Sequence, residues 1–336
     1  MRNHIIHIIV VFTFSIIHTA CFQEDEPLQP YVSPPGITTN VASMGPLYDK
    51  QLFYDLETDS FISVVHRESW DIAFSSASNQ HAIFINSSKL MKVAHTGSTD
   101  YSQTYSTSGL EWQYDHSSGW PDSTAIGSWG SPNDQNIMSH QFVYLIDRGF
   151  STSGSNIGIK KLQILSLNNQ TYTIRFANLD GSQEQTIQIS KDPAYNFVFL
   201  SFDQGQVQVE PPKHSWDLVF TQYTTRVLQQ STGIVENYSV NGVLLNPYQV
   251  EACRSFDKPY SQLMYSDIGQ YTFTQQRDII GYDWKTFDFN LSAYTIEPNN
   301  SYMIKEVEGF YYKFRFISFT NEQGIKGYPK FEVGRF

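Results

Sequence analysis

Ser69-Trp70-Asp71-Ile72-Ala73-Phe74 returns 146 positions later as Ser215-Trp216-Asp217-Leu218-Val219-Phe220. A second pair follows in the same order: Lys161-Leu162-Gln163-Ile164-Leu165-Ser166 against Lys313-Phe314-Arg315-Phe316-Ile317-Ser318, 152 apart. Short apolar strands resemble one another by chance, but a shared Ser-Trp-Asp start in a fixed order argues for two copies of one module. The spacing from Tyr54 to Trp70 equals that from Leu200 to Trp216, at sixteen. Each copy therefore opens with a hairpin that leads into its Trp-Asp strand. The copies divide near Asp192-Pro193, giving modules at 41–191 and 192–336.

Both modules read as all-β. Aromatic residues make up 15% of the chain, and short apolar or alternating runs are punctuated by turn residues. Tyr172-Thr173-Ile174-Arg175-Phe176-Ala177 alternates and then meets Asp180-Gly181, a strong hairpin signal. Positions 311–320 read as one long strand, and no amphipathic helix longer than about three turns is expected. The fold class is two tandem antiparallel β modules. Between about 96 and 136 the first module carries a long Ser/Thr/Gly/Tyr-rich stretch, and loops of that length often carry function.

The N-terminal end reads as a targeting segment. Met1-Arg2-Asn3-His4 precedes an apolar run over 5–17, too short to span a bilayer as a permanent helix. His18-Thr19-Ala20-Cys21 resembles a bacterial lipoprotein processing site, with His18 where an apolar residue is usual. Residues 1–20 are thus expected as signal peptide and Cys21 as the lipidated residue, ordinary secretory cleavage being the alternative. Glu24-Asp25-Glu26 and the prolines that follow make an acidic, Pro-rich linker over 21–40. The acidic cluster resembles the signal that sends lipoproteins to the cell surface in Bacteroidetes-type bacteria.

Charge and motif content exclude several classes. A net charge of −11, without clustered Lys and Arg, is unsuited to nucleic acid. Apart from Cys21 the only thiol is Cys253, so neither an intramolecular disulfide nor a cysteine zinc site is expected. No Gly-x-Ser-x-Gly elbow, phosphate-binding Gly-x-x-x-x-Gly-Lys loop or His-Glu-x-x-His helix is present, and an enzyme is not expected. Asp283 and Asp288, five apart on a presumed strand, face opposite sides and make no catalytic pair.

The closing stretch, Tyr311-Tyr312-Lys313-Phe314-Arg315-Phe316-Ile317-Ser318-Phe319 with Gly324-Ile325-Lys326-Gly327-Tyr328-Pro329, resembles the end of HmuY-like proteins. The two Trp-Asp strands, Thr221-Gln222-Tyr223-Thr224-Thr225 and Gly242-Val243-Leu244-Leu245-Asn246-Pro247 resemble longer, two-module members of that family. The resemblance implies an outer-membrane surface lipoprotein, held by its lipid anchor only, that captures haem and passes it to a TonB-dependent receptor. It also implies two His or Met side chains clamping the iron. Between positions 247 and 298 the second module offers no His and only Met264. In the first, order along the module points to His116 and to His140 with its neighbour Met138. The alternative is a glycan- or receptor-binding β module that has lost haem ligation, using Tyr101, Tyr105, Trp112, Trp120 and Trp129 as exposed platforms. Trp70 and Trp216 are expected in the core, with Asp71 and Asp217 taking backbone hydrogen bonds at a strand edge.

Overall fold

The computed structural model describes residues 36–336 apart from 135, 230–231, 289–292 and 298. The signal peptide, Cys21 and most of the linker lie outside the described residues. Among those described, regular structure is antiparallel β-sheet with three short 3₁₀ turns, and no helix is long and apolar enough to cross a membrane.

Among the described residues, four of the five sheets enclose the three larger cores, the fifth being the two-stranded ladder of Lys285–Asp288 with Ala293–Ile296. A sheet built mainly from Lys92–His95, Val143–Asp147, Ile159–Asn168, Thr171–Asn178 and Gln185–Ser190 covers one side of the molecule. Thr38–Val41, Lys326–Arg335, Tyr311–Thr320, Ser301–Lys305 and Glu251–Ser255 make the corresponding sheet of the second repeat. Two four-stranded sheets lie between them. Because side chains alternate across a strand, a strand between two cores must be apolar on both faces. The Trp-Asp strands show this: Ile72 and Phe74 enter the first core and Ala73 the central one, while Leu218 and Phe220 enter the second and Val219 the central one. That is why each reads as an unbroken apolar run.

The inner sheets do not follow the sequence repeats. Lys50–Asp55, the first strand of the first repeat, pairs with Leu218–Leu228 of the second, with Tyr54 opposite Leu218. Phe197–Ser201, the first strand of the second repeat, pairs with Ile72–Ser75 of the first, with Leu200 opposite Ile72. The opening hairpins are exchanged reciprocally. Leu52, Tyr54 and Leu56 accordingly fill the second core, and Val198, Leu200 and Phe202 the first. Thr38–Val41 also crosses over to pair with the last strand, Thr38 opposite Val333. Positions 38–40, expected as linker, are therefore strand, because the free edge of Lys326–Arg335 offers their backbone a ladder of hydrogen bonds.

The central core repeats its own chemistry. Phe53 meets Trp216 edge-on at 4.9 Å, and Phe199 meets Trp70 likewise at 5.0 Å. Asn86 Nδ2 donates to the carbonyls of Arg67 and Trp70, and Asn246 Nδ2 to those of Lys213 and Trp216. Asp71 and Asp217 take backbone bonds from Phe202 and Leu56, as their strand-edge placement predicts. Asp71 also holds Lys89 and Arg148 in a buried ion cluster that the sequence did not announce.

Candidate functional site

The loop after the Trp112–Gln113 strand carries the first repeat into contact with the second. Asp115 anchors it, accepting the amides of Ile85 and Ala125, each at 2.7 Å. Burial without a neighbouring cation pushes this carboxyl up to about 7. Beyond it, Ser117 Oγ bonds Thr225 Oγ1 at 2.8 Å and donates to Asp278, and the Arg277 amide donates to the Ser118 carbonyl at 3.0 Å. Gly119 makes the reversal: its φ is +72°, and a Cβ there would fall 2.3 Å from Arg277 Cδ.

Behind this loop lies a cavity of about 90 Å³ between the inner sheets. Trp70, Phe84, Phe197, Phe199, Trp216 and Tyr223 give it an aromatic wall, with Gln51, Glu210, His116 and Arg277 as its polar points. At Phe84, Gly119, Phe197 and Arg277 it adjoins a second cleft of about 250 Å³, bounded further by Trp120, Pro121, Tyr195, Lys213 and Tyr248. That cleft meets a shallow, open depression at Trp120, Pro121 and Asp122. Ligand pockets commonly run from about 300 to 1,000 Å³. The inner cavity alone is too small for a porphyrin, so a ligand of that size must occupy the outer cleft and its open mouth.

Polar groups along this path are incompletely matched. Glu210 accepts the Phe197 amide at 2.8 Å and the Asn196 side-chain amide at 3.2 Å, and burial pushes it up to about 7. Arg277 Nε donates to the Leu245 carbonyl at 3.0 Å, and burial lowers its pKa despite Glu210 and Asp278 nearby. Trp70 Nε1 donates to Gln51 Oε1 at 3.0 Å. Trp216, its counterpart, has a buried Nε1 without a partner. The repeat offset of 146 explains this, since Phe197 stands where the first repeat has Gln51.

Of the four iron-ligand candidates, His116 alone lines the cavity, and its side chain is exposed at the rim. Its Nδ1 accepts the Ser118 amide at 3.2 Å and lies 2.8 Å from Ser118 Oγ. In the other tautomer Nδ1–H donates to that hydroxyl, leaving the Nε2 lone pair free for a metal. His140 lies elsewhere, with Nε2 at 2.9 Å from Ser131 Oγ and its ring against Phe142. Met138 and Met264 are 63% and 60% exposed, and neither lines the cavity. The structure does not bring these three together with His116.

Among the proposed aromatic platforms, Tyr101 and Trp129 are corrected to buried residues. Lys161 and Arg175 cover the Tyr101 ring, at 4.5 and 4.0 Å, and Trp129 fills the first core, its Nε1 donating to the His81 carbonyl. Tyr105 and Trp112 are half-buried, and Trp120 is 42% exposed at the cleft mouth. Asp283 pairs with Arg254. The second-repeat wall of the inner cavity, Arg277 and Glu210 above all, was missed. Neither residue stands in a recognisable motif, and only the hairpin exchange brings them to the first repeat's loop.

The family model described as HmuY protein matches residues 47–190 and again 194–333. The chain belongs to the HmuY family. Solved structures similar to this HmuY-family chain include apo PinO from Porphyromonas gingivitis, at 9% identity and TM-score 0.30, covering 90% of this chain and 98% of that one. The apo HmuY analog of Tannerella forsythia has 9% identity and TM-score 0.25, with the same coverages of 90% and 98%. A candidate HmuY-like haem-binding protein of Bacteroides vulgatus has 15% identity and TM-score 0.18, covering 49% of this chain and 91% of that one. These superpositions are weak, so membership rests on the two sequence matches. No curated protein matches the chain.

Proposed function

We propose that this HmuY-family chain is a haem-capturing surface lipoprotein, tethered through Cys21, that loads its ligand in the cleft between the two repeats and surrenders it to an outer-membrane receptor. One observation carries the reading: His116, whose Nε2 is free in one tautomer, stands at the rim of an aromatic cavity that adjoins a wider cleft at Gly119. A porphyrin needs a flat apolar slot and an axial donor: Phe84, Phe197, Trp120 and Tyr248 of the outer cleft would give the slot, and His116, on the adjoining cavity, would reach the iron past Gly119. With His140, Met138 and Met264 elsewhere, His116 is the axial donor and the second iron position is left to solvent or to the receptor.

The test is a visible-absorption titration of residues 22–336 with haemin, oxidised and reduced. A saturating Soret shift at one equivalent, lost in His116→Ala and kept in His140→Ala, supports the reading. A spectrum matching haemin with an unrelated protein overturns it. The exposed Trp120 beside Pro121 would then mark the cleft mouth as a stacking platform for a glycan or receptor. Membrane-fraction release of Cys21→Ser tests the tether separately.

A further inference from the structure

We infer that Arg277, with Lys213 beside it, seats a carboxylate of the captured ligand, making the cleft a site for flat aromatic acids. The inference rests on the capture reading and deepens it. Both cations line the 250 Å³ cleft together with Phe84, Phe197, Trp120 and Tyr248. Neither makes an ion pair among the described residues. Lys213 Nζ instead lies 4.6 Å over the Tyr248 ring.

Two carboxylates favour the Arg277 charge without pairing with it, and both are engaged elsewhere. Asp278 takes the Ser117 hydroxyl and the Gln276 amide, and Glu210 takes the Phe197 amide and Asn196. A guanidinium held by a single side-chain bond to the Leu245 carbonyl keeps donors to spare. Desolvating a cation beside aromatic walls is costly unless an anion completes it. On the inner cavity the Trp216 Nε1 is buried and unpartnered, a further donor beside this path. A ligand that is apolar over its faces and anionic at its edge fits this arrangement; a neutral one of the same shape fits less well.

The experiment is a tryptophan-fluorescence titration of residues 22–336 with metal-free protoporphyrin IX and with its dimethyl ester, so that iron ligation plays no part. The wild type is expected to bind the diacid about tenfold more tightly than the diester, as one charge-assisted contact implies. Arg277→Gln, and to a lesser degree Lys213→Gln, should reduce that ratio towards one. Equal affinities in the wild type overturn the inference, and since that comparison uses unaltered protein it decides even where Arg277→Gln fails to fold. A ratio unchanged in folded Arg277→Gln and Lys213→Gln also overturns it. If haemin gives its Soret shift but the ester binds as well as the acid, the carboxylate seat fails and haem capture stands. If neither porphyrin binds and haemin gives no shift, both fall.

Discussion

The Asp217 amide donates to the Tyr54 carbonyl at 2.9 Å, joining the Trp-Asp strand of one repeat to the opening hairpin of the other. Its mirror, from the Asp71 amide to the Leu200 carbonyl, measures 2.7 Å. Each Trp-Asp strand is thus completed by a hairpin from its neighbour. The central core and the cleft form between the two exchanged pairs, so the candidate site exists only when both repeats are folded together.

Halves cut at the repeat boundary should therefore not fold alone. Residues 36–191 lack Val198, Leu200 and Phe202 from the first core, and residues 192–336 lack Leu52, Tyr54 and Leu56 from the second. Burying each such side chain contributes about 1.5–3 kcal/mol, so three missing ones rival the whole stability of a domain. Circular dichroism should show no cooperative melt for either half and recovery of one on mixing. A cooperative melt of 36–191 by itself would count against the exchange.

The two Trp-Asp carboxylates should respond differently to removal of charge. Asp71 is fully buried against Lys89 and Arg148, and Asp71→Asn leaves the buried Lys89 without its partner and Arg148 with only the more exposed Asp203. Breaking such a pair costs about 3–5 kcal/mol. Asp217 has only the amides of Leu56 and Val307, at 2.8 and 3.1 Å, and burial pushes it up to about 7. Asp217→Asn should cost about 1 kcal/mol. The melting temperature should fall by roughly 10 °C in the first variant and by a few degrees in the second. Equal losses would show that the ion cluster is not what separates them.

How far the sequence announced this molecule depends on which interactions were local. The Trp-Asp strands, the Asp180-Gly181 turn and the 311–320 strand were legible because alternation and turn chemistry are properties of neighbouring residues. The equal sixteen-residue spacings go with equal registers across the repeats, Tyr54 opposite Leu218 and Leu200 opposite Ile72. The partner of each hairpin was not legible, since both repeats present the same apolar edge and the pattern does not say which copy receives it. His116 was proposed from order along the module. Arg277 and Glu210 reach the inner cavity only through pairing distant in sequence, and Tyr101 and Trp129 were misplaced because a loop's polar composition hides which aromatics turn inward.

Gly119→Ala should harm the site more than the fold. The substituted Cβ meets the flexible Arg277 side chain, not backbone, in a turn with φ of +72°. Stability should fall by about 1–2 kcal/mol from the left-handed backbone, while protoporphyrin IX binding drops at least as far as in Arg277→Gln. Full affinity in a folded Gly119→Ala protein would show that the loop's approach to Arg277 is irrelevant to binding.

Stability should fall as pH rises from about 5 to about 7. Burial pushes Asp115, Glu210 and Asp217 each up to about 7, from ordinary values of 3.8, 4.5 and 3.8. A carboxyl with a raised folded pKa binds its proton more tightly in the folded state, so its contribution is complete below the unfolded value and lost as pH rises through the folded one. Glu306, also raised by burial, acts in the same sense, and His81, lowered by burial and Lys191, in the opposite one, one group against four. Asp203, held low by Arg148, matters only in more acid solution. Above pH 7 the trend should reverse, because burial lowers Lys285 to about 7 and Lys191 to about 8, and unfolded lysines then hold more protons than folded ones. The wild-type melting temperature should therefore be higher at about pH 5 than at about pH 7, with the difference reduced in Glu210→Gln, whose amide carries no titrating proton. A melting temperature that is flat or rising across that interval, or a slope untouched in Glu210→Gln, would mean that these carboxyls are hydrated in solution and not sealed between the repeats.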